Sequence, residues 1–178
     1  MIAAFDSYYF NDKVKTVCVL FPEWEDEEKA TVYSKILDQA APYESGQFYR
    51  RELPAILDLL HDLGREKVDL FIVDGFVWLD DNGQPGLGFH LHEQSGKKIP
   101  VIGVAKSDFA PLHLNKRTVF RGKTRRPLFI TAVGIDLDES AAHIKKMDGK
   151  FRMPTILKQL DAITRNQKFY WGEKLNRG

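Results

Sequence analysis

Apolar positions in the opening stretch crowd into two runs, IAAFDSYYF and VKTVCVLF, rich in aromatic and β-branched residues and parted only by Asn11-Asp12-Lys13. Runs of that kind joined by a short polar turn predict a β-hairpin. After the acidic stretch EWEDEE, the segment KATVYSKIL predicts a third strand, with a short helix as the alternative that its periodicity leaves open. At Glu52 the period changes. Leu53, Ile56, Leu57, Leu60 and Leu63 recur at three- and four-residue steps, Pro54 fits a first helical turn and Gly64 ends the run, so a helix is predicted there.

The next segment, VDLFIVDG, reads as a strand buried on both faces, since five of the six residues from Val68 to Val73 are apolar. An irregular stretch, WLDDNGQPGLG, follows, then a short helix through FHLHEQSG and a second buried strand in IPVIGVAK. A strand, a helix and a strand in succession, both strands buried, predict a parallel pair with a covering helix. KRTVFRGKTRRPLFITAVGI supplies one or two further strands, and DESAAHIKKM and PTILKQLDAITR read as closing helices. Antiparallel strands first and βαβ units later give a three-layer α/β domain with a mixed central sheet.

Composition narrows the reading. A chain of 178 residues, 43% apolar and 29% charged, is long enough for one well-filled core, and no composition shift or linker divides it, so residues 1–178 are expected to form a single domain. With 26 basic and 25 acidic residues the net charge of +1 excludes a global electrostatic partner, and any nucleic-acid surface must be local. The basic run Lys116, Arg117, Arg121, Lys123, Arg125 and Arg126 is a candidate for such a surface, with Arg121 and Lys123 as expected phosphate contacts and a solvated charged face as the alternative. The single Cys18, inside an apolar run, fits a reducing compartment and behaves as a buried hydrophobe. With no signal peptide or membrane-spanning run visible, a cytoplasmic monomer that does not engage a membrane is expected.

Three carboxylates carry the candidate chemistry. Asp74 ends the buried strand without a polar spacer, Asp6 interrupts the first strand among bulky neighbours, and Glu52 opens the helix after Arg50-Arg51. Each has a bland reading: Asp74-Gly75 as a turn, Asp6 on a solvated edge, Glu52 as a residue favoured by the helix dipole. A carboxylate at the middle or end of a core element costs several kcal/mol unless it is paired or bound to a cation, and three together point to a shared cation. Hard oxygen ligands select Mg²⁺ or Mn²⁺, and neither Cys18 nor the scattered histidines offer zinc spacing.

The stretches AAFDSYYF, PYESGQFYRRELP, VDLFIVDG, GLGFHLHE and IPVIGVAKS resemble, in order, those of the endonuclease V family, from residue 2 to about residue 155. The resemblance implies a ribonuclease-H-like fold and Mg²⁺-dependent cleavage of nucleic acid near deaminated purines. Position by position, Asp6, Glu52 and Asp74 match the family's metal ligands and Lys106 its active-site lysine. Tyr43 and Gly46 match the loop that the family wedges beside a flipped base.

Two stretches depart from that pattern. The family's GH dipeptide is Gly134-Ile135 here, so the matching histidine is an isoleucine, which ligates nothing. If the strand ends by Gly134, Asp136 is expected to take the histidine's place, with Asp138 as the fallback and Ile135 packed beneath. The family's GxAHPR loop is replaced by FVWLDDNGQPG. An endonuclease V-like nuclease acting near inosine is the favoured expectation. The alternatives are a catalytically weakened nucleic-acid-binding relative and a metal-dependent phosphohydrolase with another substrate.

Overall fold

The computed structural model describes residues 1–25, 29–38, 49–63 and 68–175. Strands β1 (Ile2–Phe10) and β2 (Lys13–Phe21) form the expected hairpin, and its two turn residues, Asn11 and Asp12, have φ of 46° and 62°. A two-residue hairpin turn needs positive φ, which Asn and Asp tolerate better than other non-glycine residues. KATVYSKIL resolves to a strand, β3 (Thr31–Asp38), antiparallel to β2. Helix α1 (Tyr49–Leu63) starts three residues before Glu52, so Pro54 lies inside it rather than in its first turn. That position costs the helix one backbone hydrogen bond near its N-terminus, which its buried stripe of Leu53, Ile56, Leu59 and Leu63 readily offsets. Gly64 lies outside the described residues.

Then follow β4 (Leu70–Asp74), α2 (Leu87–Gln94) and β5 (Val101–Ala105). β4 runs parallel to β5, the arrangement the two buried strands predicted, and also parallel to β1 on its other side. Strands β6 (Arg117–Val119) and β7 (Leu128–Val133), helices α3 (Leu137–Lys146) and α4 (Thr155–Thr164), and a short β8 (Trp171–Lys174) complete the chain. The eight strands make one mixed sheet in the order β6-β7-β5-β4-β1-β2-β3-β8.

Strand parity divides the core into two layers. Ile2, Ala4, Val17, Val19, Leu70, Ile72, Ile102 and Val104 face α3 and α4, whereas Ala3, Phe5, Cys18, Leu20, Phe71 and Val73 face α1 and α2. Each fully buried phenylalanine, such as the edge-to-face pair Phe5 and Phe71 with centroids 5.9 Å apart, contributes about 2–3 kcal/mol. Gly103 is fixed by crowding: a Cβ there would lie 2.6 Å from the Gly75 carbonyl oxygen and from Thr131 Oγ1. Its absence lets the turn after β4 close over β5, and that turn aims Asp74.

One buried cation sits in this framework. Lys15, fully buried on β2, donates to the carbonyl oxygens of Ile163, Asn166 and Lys168 at 2.8 Å and to Asn166 Oδ1 at 3.0 Å. A lysine at a helix C-terminus satisfies its last carbonyls and complements its dipole, so Lys15 fastens the end of α4 to the sheet. Cys18 is buried and in no disulfide among the described residues, and no helix among them is long and apolar enough to cross a membrane.

Candidate active site

Parity also builds the site. The even-numbered positions of β1, β4 and β5 face α4, so Asp6, Asp74 and Lys106 extend the rows of Ala4, Ile72 and Val104. β1 and β4 are in register with Phe5 opposite Val73, which sets Asp6 beside Asp74 across adjacent parallel strands. From the covering helix α4 comes Asp161. One carboxylate oxygen from each of Asp6, Asp74 and Asp161 lies within 4.8 Å of the others.

Lys106 completes the group. Its Nζ donates to Asp74 Oδ2 at 2.9 Å and to Asp161 Oδ1 at 3.2 Å. Burial works against its charge, but the two carboxylates outweigh it and hold the ammonium above its ordinary pKa. Asp161 is kept below the usual carboxylate range by Arg165, whose Nε is 3.2 Å away, and then by Lys106, against its own partial burial. Asp6 is placed differently: burial first, and the neighbouring Asp74 second, push its pKa up to about 6 although the Ser7 amide donates to it.

Glu52 arrives from the opposite face of the sheet. It lies in the first turn of α1, is buried, and lines the same cavity of about 330 Å³ as Asp6, Asp74, Lys106 and Asp161. Burial, then Asp6 and Asp74, raise its pKa well above normal, with Arg51 opposing. Arg51 stacks its guanidinium 3.9 Å from the centre of the Tyr9 ring. Clustered carboxylates whose charge burial and one another disfavour are the condition in which a bound cation gains most. The donor set fits Mg²⁺ or Mn²⁺: all oxygen, anionic, and close enough for one ion to bridge.

Asp136 is not part of this cluster. β7 is antiparallel to β5, with Phe129 opposite Ala105 and Val133 opposite Val101, so the chain leaves β7 at the end of β5 away from Lys106. The strand does end at Val133, before Gly134, where a Cβ would lie 3.2 Å from the α-carbon of Pro100, ahead of β5. Asp136 there caps α3, accepting from the Glu139 amide at 2.9 Å. Asp138 binds Arg117 at that same end, and Ile135 packs on the α3 and α4 core but not beneath Asp6 and Asp74. The carboxylate that joins them is Asp161, which the sequence reading left inside an amphipathic helix. Its signal was available: Leu157, Leu160 and Thr164 form the buried stripe of α4, and a carboxylate beside that stripe has the same cost as Asp6 in its strand.

The basic run divides as well. Arg121 is buried, and its guanidinium gathers the carbonyls of Lys145, Met147, Asp148, Gly149 and Phe151, so it is a structural staple rather than a phosphate contact. Lys116 pairs with Asp108 and Arg117 with Asp138. Lys123, Arg125 and Arg126 are exposed and form no ion pair among the described residues. Tyr43 and Gly46 lie outside the described residues.

The altered loop after β4 is ordered by its own bonds. Val77 N donates to Thr131 Oγ1 at 2.8 Å, Trp78 Nε1 to the Ala132 carbonyl at 3.0 Å, and Asp80 accepts from the amides of Asn82 and Gln84. Between this loop and the carboxylates lies a mostly apolar pocket of about 220 Å³, which shares Asp74 and Gly75 with the cavity and is walled by Tyr49, Phe76, Leu87 and Phe109.

The family model for endonuclease V matches residues 1–126. The chain belongs to the endonuclease V family. An endonuclease V from Streptomyces avermitilis is 31% identical over 144 residues, which span 70% of this chain and 61% of that relative's length. Among solved structures, Ciona intestinalis endonuclease V bound to a 24mer DNA containing an inosine followed by a ribo-adenosine superposes with a TM-score of 0.76. It is 21% identical, and the match covers 92% of this chain and 84% of that one. The S. avermitilis endonuclease V structure gives a TM-score of 0.68 at 22% identity, covering 92% and 79% of the two chains. These likenesses show the fold, and the family is one of nucleases in general.

Proposed function

We propose that this chain is a divalent-cation-dependent endonuclease that cleaves a phosphodiester near a deaminated purine, inosine, in nucleic acid. The observation that carries the reading is the trio Asp6, Asp74 and Asp161 within 4.8 Å, with Lys106 bonded to two of them. Asp6, Asp74 and Asp161 would hold Mg²⁺ or Mn²⁺, with Glu52 at the rim of the same cavity. Such an ion polarises the phosphoryl oxygen and lowers the pKa of bound water. Lys106 supplies a fixed positive charge beside the scissile phosphate, where negative charge grows in the transition state. Burial disfavours the charge of Asp6 and Glu52, a cost that a bound cation would offset. The apolar pocket walled by Phe76 and Phe109 adjoins Asp74 and suits a planar base drawn out of its stack. Support for inosine as the target comes from the ligand of the Ciona relative.

The test is incubation with labelled inosine-containing DNA and RNA strands, with Mg²⁺ or Mn²⁺ and with chelator. A metal-dependent cut near inosine, absent from the adenine control, is expected. Strand binding without cleavage would instead identify a weakened binding relative, and hydrolysis of nucleotides but not strands would identify a phosphohydrolase.

A further inference from the structure

The near-neutral net charge conceals a strong local imbalance. Segments 120–126 and 145–158 together hold nine basic residues and a single acidic one, Asp148, so the remainder of the chain is net acidic. The Arg121 staple draws the two segments together, and Gly122, at φ +63°, packs so closely that a Cβ would lie 2.7 Å from the Lys150 carbonyl oxygen. Each segment of this seam carries one large exposed ring, Phe120 at 56% and Phe151 at 57% exposure. The ammonium groups of Lys150 and Lys158 lie 5.7 and 5.1 Å from the centre of the Phe151 ring. Beside it an open groove of about 640 Å³ runs along Lys146, Gly149, Lys150 and Thr155. Lys150 and Lys158 are exposed and, like Lys123, Arg125 and Arg126, form no ion pair among the described residues.

The seam adjoins the carboxylates. Arg152, next to Phe151, donates to the Lys106 and Pro127 carbonyls, Met153 lines a small cavity with Asp6 and Asp74, and Lys158 precedes Asp161 by one turn of α4. Exposed aromatic faces interleaved with unpaired cations are what a single-stranded nucleic acid requires, since every base can stack and every phosphate needs a counter-charge. A duplex hides its base faces and would use the cations alone.

We infer that this seam is a single-strand binding track leading to the metal centre, with Phe120 and Phe151 as stacking platforms and Lys123, Arg125, Arg126, Lys150 and Lys158 as phosphate contacts. The track rests on the nuclease reading for its role but not for its test. Binding of a labelled DNA single strand and of the matching duplex is measured by fluorescence anisotropy in chelator, so that cleavage does not enter. Phe151→Ala and Phe120→Ala should each weaken single-strand binding about five- to hundredfold and leave duplex binding unchanged, while Phe151→Trp retains it. Replacing Lys123, Arg125 and Arg126 by Gln should flatten the salt dependence by about 0.7 in logarithmic slope per charge. Equal melting temperatures of the variants confirm that the fold is intact.

Wild-type single-strand affinity in both alanine variants would overturn the track, as would equal losses for strand and duplex. Loss of binding to phosphatidylserine vesicles with strand binding unchanged would overturn it in favour of a membrane surface. Ring-dependent strand binding without metal-dependent cleavage would leave the track standing and remove the nuclease reading. Cleavage with ring-independent binding would do the reverse.

Discussion

Two groups of carboxylates in this molecule have opposite surroundings. At the loop ends, Asp81 accepts the amides of His113, Leu114 and Asn115 at 2.8–3.1 Å, and Asp136 accepts the Glu139 amide at the head of α3. The backbone bonds to Asp81 outweigh its desolvation and hold its carboxyl below the usual range. In the cleft, Asp6 has its charge disfavoured by burial and then by Asp74, and Glu52 by burial and then by Asp6 and Asp74. The first group is complete as folded. The second has a deficit of positive charge that Lys106 and Arg165 meet only at Asp74 and Asp161. Position at the end of a strand or helix is therefore a poor guide to function, and the decisive property is whether the fold itself satisfies the carboxylate.

The comparison breaks most sharply at Asp161. Asp161→Asn removes a ligand oxygen charge and a partner of Lys106, and should lower metal-dependent cleavage on the order of a thousandfold, the equivalent of several kcal/mol of lost charge stabilisation. Titration calorimetry with Mg²⁺ should show the same loss without substrate. Asp81→Asn should leave the calorimetric trace as in wild type. Metal binding undiminished in Asp161→Asn would remove α4 from the site.

Next in size is the support behind Asp161. Lys15 holds the Ile163 carbonyl at the end of α4 and those of Asn166 and Lys168 just beyond it from within the core, and burial lowers its pKa to about 8. Lys15→Met keeps the volume but strands those carbonyls, and should cost about 3 kcal/mol of unfolding free energy in denaturant titration. Because α4 then loses its anchor, Mg²⁺ affinity should fall too, though less than in Asp161→Asn. A stable variant with normal affinity would mean that the helix is placed by its apolar stripe alone.

What the sequence made legible follows the same division. Asp6 and Asp74 stood out because a carboxylate within or at the end of a run of β-branched and aromatic residues breaks a strong local pattern, and Glu52 because it opens a helix after Arg50-Arg51; the parallel pairing of β1 with β4 that joins Asp6 to Asp74 had no such signal. Asp161 was hidden because an amphipathic helix has polar positions in any case, and only the packing of α4 over β1 shows which one faces the cleft. Sequence proximity of Asp136 to Ile135 does not imply spatial proximity to Asp6, because the antiparallel entry of β7 carries it to the other end of β5. β8 gave no signal: four exposed residues with Gly172 at φ +72° have no alternation to detect. Arg121 looked like its basic neighbours, and only the carbonyls converging on it reveal a staple.

The unsatisfied group also has a pH signature. Asp6, raised from 3.8 to about 6, keeps a proton in the folded state that the unfolded chain has released, so between these values stability without metal falls as pH rises. Above pH 6 the ionised form carries the full cost. Asp6→Asn has no such cost and should be about 1–2 kcal/mol more stable than wild type at pH 7 in chelator, with the gap closing toward pH 4. Added Mg²⁺ should reverse the order, because only the wild type gains from binding. A destabilised Asp6→Asn at pH 7 in chelator would show that the fold satisfies Asp6 after all.

The smallest effect tests the satisfied group. Asp136 closes one of the four open amides at the N-terminus of α3, and Ser140 Oγ returns a bond to its carbonyl at 2.7 Å. Loss of such a cap costs about 1 kcal/mol, so Asp136→Ala should lower the melting temperature by a few degrees, and Asp136→Ser should restore most of it because a serine hydroxyl caps nearly as well. Neither change should alter Mg²⁺ affinity or the pH dependence set by Asp6, since Asp136 lies beyond the end of β5 opposite to Lys106. Ile135→His, which places an imidazole at that same distant end, should likewise leave metal binding as it is. A drop in Mg²⁺ affinity with Asp136→Ala that Asp136→Ser fails to rescue would mean that charge at this end of the sheet reaches the cleft, and that capping is not its whole role.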